Sequence, residues 1–531
     1  MNAFNRLLTG AAIGLAVSVT SFAALAETPA NMLVIAHRID DVTSIDPAES
    51  FEFAGSDISR NVYSRLVNLD PMDLAAGYQP DLATSWEVSE DGKTITFTMR
   101  EGVTFHSGNP VRAEDAAFSL QRAVILNKTP AFILAQFGFT PENAMETIRA
   151  EGNQLIITTD KRYATSFVLN CLTATIGGIV DKETVMANEV DGDMGNTWLK
   201  TNSAGSGPYK LDSWRPNESV TLSSNPDYYG GVPAMERVIV RHVIESASQR
   251  LLLERGDIDI ARNLNPEDVA GASSADGVVI SDELKGRLMY LALNQKHPEL
   301  SKPEVRQAFK YLVDYEGMQN SFLNGQYTIH QNFLPATYLG ASEENPFTYD
   351  VEKARELLTA AGVENLEIEL GVREAQERIE IAQSFQNSAA QVGITVNITV
   401  GTAKQILERY RARELDVYLG AWGPDYPDPQ TNAGTFAYNP DNSDEANATG
   451  LLAWRNSWDT GGLTEKVAAA VTEGDRDTRV QMYLDIQEEF RETSPFVVMF
   501  QQIEQSGLRD NVTDWSTGQA ITHAAYWQVT K

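Results

Sequence analysis

The chain has 531 residues, 42% of them apolar, and a formal net charge of −31 at pH 7, so it can bury more than one core, because a single core rarely grows beyond about 250–300 residues. An acidic balance of this size excludes docking on DNA, RNA or an anionic membrane through a basic face, which needs clustered Lys and Arg. A small solute or another protein remains as the expected partner.

Arg6 precedes an uncharged segment, Leu7 to Ala26, that ends in Ala24-Leu25-Ala26 before Glu27. This reads as a secretory signal peptide, residues 1–26, cut after Ala26. Gly10, Gly14, Ser18, Thr20 and Ser21 dilute it below the apolarity of a permanent span. Cleavage removes one arginine and leaves a mature charge of −32. No cysteine stands at the cut, so no lipid anchor is expected. Cys171 is the only cysteine, which rules out an intramolecular disulfide and a cysteine-held metal and fits a buried thiol.

In residues 80–122, Asp91-Gly92 is a tight-turn signal between Trp86–Val88 and a segment in which Ile95, Phe97 and Met99 alternate with threonines. The pattern predicts a hairpin with one buried face. Further on, Pro303 suits the first turn of a helix whose Val305, Ala308, Phe309 and Leu312 recur at helical spacing. From Asp350 to Trp422 helix and strand patterns alternate. Asp350 caps a helix that Gly362 ends. A strand follows over Leu366–Val372, then a helix with Ile379, Ala382, Phe385 and Ala389 inward, a strand Ile394–Val400, a helix around Ile406 and Tyr410, and a strand Val417–Ala421. Such alternation requires crossovers and a parallel sheet.

Open parallel sheets bind ligands outside the carboxyl ends of their strands. Two segments emerge there: "AWGPDYPDP" (Ala421 to Pro429), with two acids among three prolines, and Arg373, directly after Val372. The loop Tyr438–Thr449 is polar and reads as solvated.

Four stretches carry a resemblance: "LATSWEVSEDGKTITFTMREGVTFHSGNPVRAEDAAFSLQR", "GSGPYKL" (Gly205 to Leu211), "NPDYYGG" (Asn225 to Gly231) and "WGPDYPDP". In this order they resemble the extracytoplasmic solute-binding proteins of peptide and nickel ABC importers, family 5, typified by periplasmic dipeptide- and oligopeptide-binding proteins. The resemblance implies an α/β fold of two hinged lobes around mixed or parallel sheets, with an extra subdomain in the first. It places lobe I on residues 27–72 and 203–286, the subdomain on 73–202, lobe II on 287–506 and a return to lobe I on 507–531. It also implies a periplasmic monomer that traps a short peptide or peptide-like zwitterion and delivers it to a membrane permease. An opine, glutathione, an oligosaccharide or a chelated metal is the alternative cargo.

By the same resemblance Asp425 takes the ligand's ammonium, with Trp422 beside it and Tyr426 as a further lining residue, while Asp428 caps the turn. Arg373 matches by position the arginine that grips a ligand carboxylate, a task suited to a guanidinium fork. Glu374 and Glu377 offer it a surface ion pair instead. Phe53, Ala54 and Gly55 correspond to a segment beside which a peptide runs as an added strand, offering backbone groups; Phe51 and Phe53 could equally be packing residues.

No catalytic residue, cofactor or metal site is expected. The histidines, His37, His106, His242, His297, His330 and His523, are scattered, and neither HExxH nor GxSxG occurs. The run Asp191 to Asn196 has the look of a calcium loop, but Asn202 stands where that loop needs a bidentate glutamate. A secreted hydrolase is the rival of another class, and Asp425 and Asp428 on one stiff turn give no sign of flanking a scissile bond.

Overall fold

The computed structural model describes residues 27–71, 73–520 and 524–531; the expected leader and His523 lie outside them. Strand β1 (Met32–His37) buries four residues in succession, Leu33 to Ala36, as a strand covered on both faces does. β2 (Val67–Asp70) and β3 (Asp73–Pro80) form an antiparallel pair. β4 (Ala83–Val88), β5 (Thr94–Met99), β6 (Ile148–Glu151) and β7 (Gln154–Thr158) form a separate sheet in the order β4-β5-β7-β6. β4 and β5 are the expected hairpin. Gly92 takes φ +71° in its turn, where a side chain would be strained. Ile95, Phe97 and Met99 share a core with the helix Ala113–Leu126 and with the buried Cys171.

The remaining strands join β1 in one eleven-stranded sheet. They are β8 (Tyr209–Arg215), β9 (Ser219–Ser224), β10 (Arg237–His242), β11 (Ile260–Ala261), β12 (Val278–Leu293), β13 (Tyr327–Ile329), β14 (Glu367–Arg373), β15 (Thr395–Gly401), β16 (Val417–Trp422) and β17 (Phe496–Arg509). Their order is β15-β14-β16-β12-β17-β11-β1-β10-β9-β8, with β13 added on β17. β12 and β17 pair antiparallel from Val278 and Arg509 to Ala292 and Phe496, with a register shift between Leu284 and Leu288. One end of this pair joins β11 through Leu508 and Ile260. The other joins β16, from Leu288 opposite Trp422 to Leu293 opposite Val417. The same two strands therefore belong to both halves of the sheet.

β14 is parallel to both β15 and β16, as crossover helices require. Asp350 caps its helix by accepting from the Lys353 N–H at 2.9 Å, and Gly362 ends it at φ +65°. The helix Pro303–Tyr311 buries Val305, Ala308 and Phe309, with Leu312 behind them, against Met289 and Leu291 of β12. One inward residue differs from expectation. In the helix Gln376–Ala390 the buried face runs through Ile381, Ala382, Phe385 and Ala389, and Ile379 is only half-buried. Both isoleucines fit a helical period, and both touch the same core.

The distant motifs meet in space. The Gly207 N–H donates to Val62 O at 2.9 Å, the His106 N–H donates to Gly205 O at 2.8 Å, and His106 Nε2 lies 3.0 Å from Gly207 O. Burial pushes the His106 imidazole down to about 4, so it stays neutral. The Asn225 N–H donates to Pro208 O at 2.8 Å, and the Tyr229 hydroxyl donates to Asp81 at the head of the hairpin segment. A Cβ on Gly205 would stand 2.1 Å from Val62 O. Gly205→Ala is therefore expected to cost on the order of 1–3 kcal/mol by overpacking, read as a lower urea midpoint; an unchanged midpoint would show that this turn yields freely.

Candidate functional site

β16 delivers the site. Val417 and Leu419 face one core and Tyr418 the other, the two-sided burial of a central strand. The strand ends at Trp422, and the next six residues turn into the helix Pro429–Phe436. Asp428 is the cap of that helix, accepting from the Gln430 N–H at 2.9 Å. It is fully buried, and Arg479 grips both its oxygens at 2.7 and 3.0 Å while Asn170 donates at 2.9 Å. The cap assigned to Asp428 holds, and the arginine makes it an anchor for the whole loop. Gly286 sits where the loop packs back on β12: its absent Cβ would lie 3.1 Å from the Pro424 ring.

Asp425 is treated differently. Its backbone N–H donates to Thr431 Oγ1 at 3.1 Å, but among the described residues its carboxylate accepts no hydrogen bond and has no cationic partner. Asp425 lines two cavities, and burial alone raises its pKa to about 7. The first cavity, about 260 Å³, also meets Phe53, Tyr338 and Trp422. The second, about 860 Å³, is floored by Gln430, Thr431 and Thr435 of the following helix. The buried Trp422 indole N–H and Tyr338 hydroxyl have no partner among the described residues. Asp425, Trp422 and Tyr338 thus line one cavity together.

Tyr426 is packed as well as lining. Its ring lies 6.0 Å from that of Phe167, its hydroxyl donates to Gln136 Oε1 at 3.4 Å, and its edge meets both cavities. With the Asn170 bond to Asp428 and the Ser166 bond to Arg479, these contacts tie residues 421–479 to residues 129–176 across the cavities.

One expectation is corrected. Phe53, Ala54 and Gly55 do not run extended: they open the helix Phe53–Val62. Their carbonyls enter the helix's own bonding, so no added strand can pair with them. Phe53, 50% exposed, lines the first cavity, whereas Ala54 and Gly55 are buried, and a Cβ on Gly55 would lie 2.9 Å from Ser50 Oγ. Arg373 lines neither cavity. It closes β14 in register with Gly401 of β15, one residue beyond the stretch Leu370–Val372 that pairs with β16. It forms no ion pair with Glu374 or Glu377 among the described residues. The sequence reading missed Tyr338, Arg411 and Arg455, which come from three separate parts of the chain, and it took the loop 438–449 as merely solvated although Tyr438 and Thr449 line the larger cavity.

Residues 77–444 match the family of bacterial extracellular solute-binding proteins, family 5 Middle. The chain is 27% identical over 501 residues to a probable D,D-dipeptide-binding periplasmic protein of Escherichia coli (strain K12), covering 93% of each chain. It is 28% identical over 465 residues to di/tripeptide-binding protein 2 of Pseudomonas aeruginosa (strain UCBPP-PA14), covering 82% of this chain and 83% of that one. Its fold is similar to that of an ABC transporter-associated periplasmic binding protein from Helicobacter pylori in complex with the peptide STSA, with a TM-score of 0.77, 24% identity and coverage of 94% and 98%. The architecture is accordingly the two-lobed α/β fold of periplasmic binding proteins, and the chain belongs to the bacterial extracellular solute-binding proteins, family 5.

Proposed function

We propose that this protein is the periplasmic substrate-binding component of an ABC importer, that its cargo is a short peptide or peptide-like zwitterion, and that Asp425 takes the cargo's ammonium beside Trp422. The observation that carries this reading is the lone Asp425 carboxylate, held in the wall shared by two cavities by a loop that the Asp428–Arg479 pair anchors. An ammonium there would receive a charge-assisted bond on a preset acceptor, which repays its loss of water. The names of the dipeptide- and di/tripeptide-binding relatives support the cargo class. Binding proteins as relatives support a role without catalysis. In this reading residues 27–72, 203–286 and 507–531 make lobe I, 73–202 its subdomain and 287–506 lobe II. β12 and β17, shared by both halves of the sheet, serve as the hinge. The mature chain acts as a monomer without lipid anchor or nucleic acid, and it hands its cargo to a membrane permease.

Native mass spectrometry of protein purified from its own host tests the cargo directly. A retained solute with a free amine is expected; a sugar or a metal chelate without one overturns the assignment.

The protonation of Asp425 gives a second test. Its folded pKa of about 7 lies above its ordinary value of 3.8, so its contribution to stability is present below about 4 and is lost as pH rises through 7. Ammonium binding needs the opposite, charged form. Affinity is expected to rise by up to about tenfold per pH unit below 7 and to level off above it, with proton release at pH 6 in calorimetry. A flat affinity between pH 5.5 and 8 would contradict this.

A further inference from the structure

A chain of buried charges crosses the two long strands that both halves of the sheet share. Glu283 of β12 and Glu504 of β17 stand directly opposite one another in register, a like-charge pairing that is unfavourable unless cations offset it. Two cations do so. Arg262, directly after β11, donates to one Glu504 oxygen at 2.8 and 3.0 Å and to Asp57 at 2.7 Å, and the Lys285 ammonium lies 3.8 Å from the other Glu504 oxygen. Asp57 stands on the helix whose Phe53 and Ser56 line the first cavity.

Lys285 does more than balance charge. Its buried ammonium donates to Thr517 O at 2.8 Å and to Gly518 O. Two residues earlier on β12, the Glu283 carboxylate accepts from the Thr517 N–H at 2.7 Å and from its hydroxyl at 2.6 Å. The segment held in this way runs on to Ala520, which lines the first cavity. Lys285 also opens the bulge of β12, where the register with β17 shifts between Leu284 and Leu288. The next residue, Gly286, packs on the opposite wall: its absent Cβ would lie 3.1 Å from the Pro424 ring and 3.3 Å from the Tyr338 ring, and both residues line the same cavity. One bulge therefore touches the segment ending at Ala520 through a side chain and the Asp425 loop through its backbone. A lysine suits the place, since its ammonium has three donors on a long apolar stem. Without it, two inward carbonyl oxygens would lose their donor.

We infer that Lys285 is a positioning residue of the candidate site: its grip on Thr517 and Gly518, where the bulge meets the Asp425 loop, fixes the gap between Ala520 and Asp425 and so sets how tightly the first cavity closes on its guest. The inference rests on reading β12 and β17 as the hinge and this cavity as part of the binding site, and one arm of its test needs no guest.

Hydrogen exchange of the unliganded mature protein is read over residues 515–520 and 421–428 in wild type, Lys285→Met and Lys285→Arg. Lys285→Met keeps the stem without the charge and is expected to speed exchange by about fivefold or more in both segments, and Lys285→Arg should recover most of the difference. The same proteins are then titrated by calorimetry with the di- or tripeptide that wild type binds best from a library with free amino termini. Lys285→Met is expected to weaken that peptide by about tenfold or more. A lysine that only supports the fold would lower the urea midpoint but leave the affinity of the folded protein and exchange at 421–428 at their wild-type values, and that result overturns the inference. Lys285→Arg performing no better than Lys285→Met overturns it too. If Lys285→Met does not fold, Thr517→Val decides, because it removes the hydroxyl bond to Glu283 from the same segment: severalfold faster exchange in both segments supports the inference, and unchanged exchange at 421–428 overturns it. Asp425→Asn should lose the peptide with exchange at 515–520 unchanged, which separates failure of the amine assignment from failure of the positioning role. Wild type that binds no peptide overturns the proposed cargo, and the exchange arm still decides Lys285.

Discussion

Asp425→Ala is expected to weaken binding of the physiological ligand by on the order of 3–5 kcal/mol, the cost of removing one partner from a buried charge pair, or roughly a hundredfold to several thousandfold in Kd. The same change should not destabilise the free protein. Burial raises the Asp425 pKa to about 7, and no cation offsets it among the described residues, so removing the charge relieves a cost of the folded state at pH 8. Loss of affinity together with an equal or higher urea midpoint is the signature of a group kept for its ligand. Unchanged affinity in calorimetry would take Asp425 out of the site. A large loss of stability would make it a structural acid like its neighbour Asp428.

Arg479→Ala is the counterpart, with its effect on the fold. Arg479 and Asp428 are both almost fully buried and joined by two hydrogen bonds, and Asp428 also caps the helix that floors the larger cavity. Removing the guanidinium strands a carboxylate in the core and is expected to cost about 3–5 kcal/mol in urea unfolding. The double variant Asp428→Asn/Arg479→Met, which keeps a capping residue and removes both charges, should recover much of that loss. A single-variant loss under about 1 kcal/mol would show that the loop holding Asp425 is anchored elsewhere.

The contrast between these two acids shows what the sequence could reveal. Asp428 was legible as a cap because Asp-Pro at a helix start is local chemistry. The hairpin around Gly92 and the parallel strands β14, β15 and β16 were legible for the same reason: period-two and helical patterns are written in neighbouring residues. Asp425 could be marked only through resemblance, since its distinguishing property, a carboxylate without a partner inside the fold, is set by residues far away in the chain. Arg373 was placed by position alone. Phe53 to Gly55 show a mixed pattern whose helical state is settled by packing on residues 42–50. Arg411 and Arg455 gave no sequence signal. The stacking of Tyr410 on Tyr418 and the ring contact of Arg455 with Tyr410 bring them to one wall, and neither contact follows from spacing.

The account turns on where the guest's amine lies. A crystal structure of the protein with the solute it retains from its host answers this most directly. The expected result is an amine nitrogen about 2.7–3.2 Å from an Asp425 oxygen, beside the Trp422 indole and closed off from water. A guest lodged elsewhere, with the Asp425 side chain turned to bulk solvent, would contradict it.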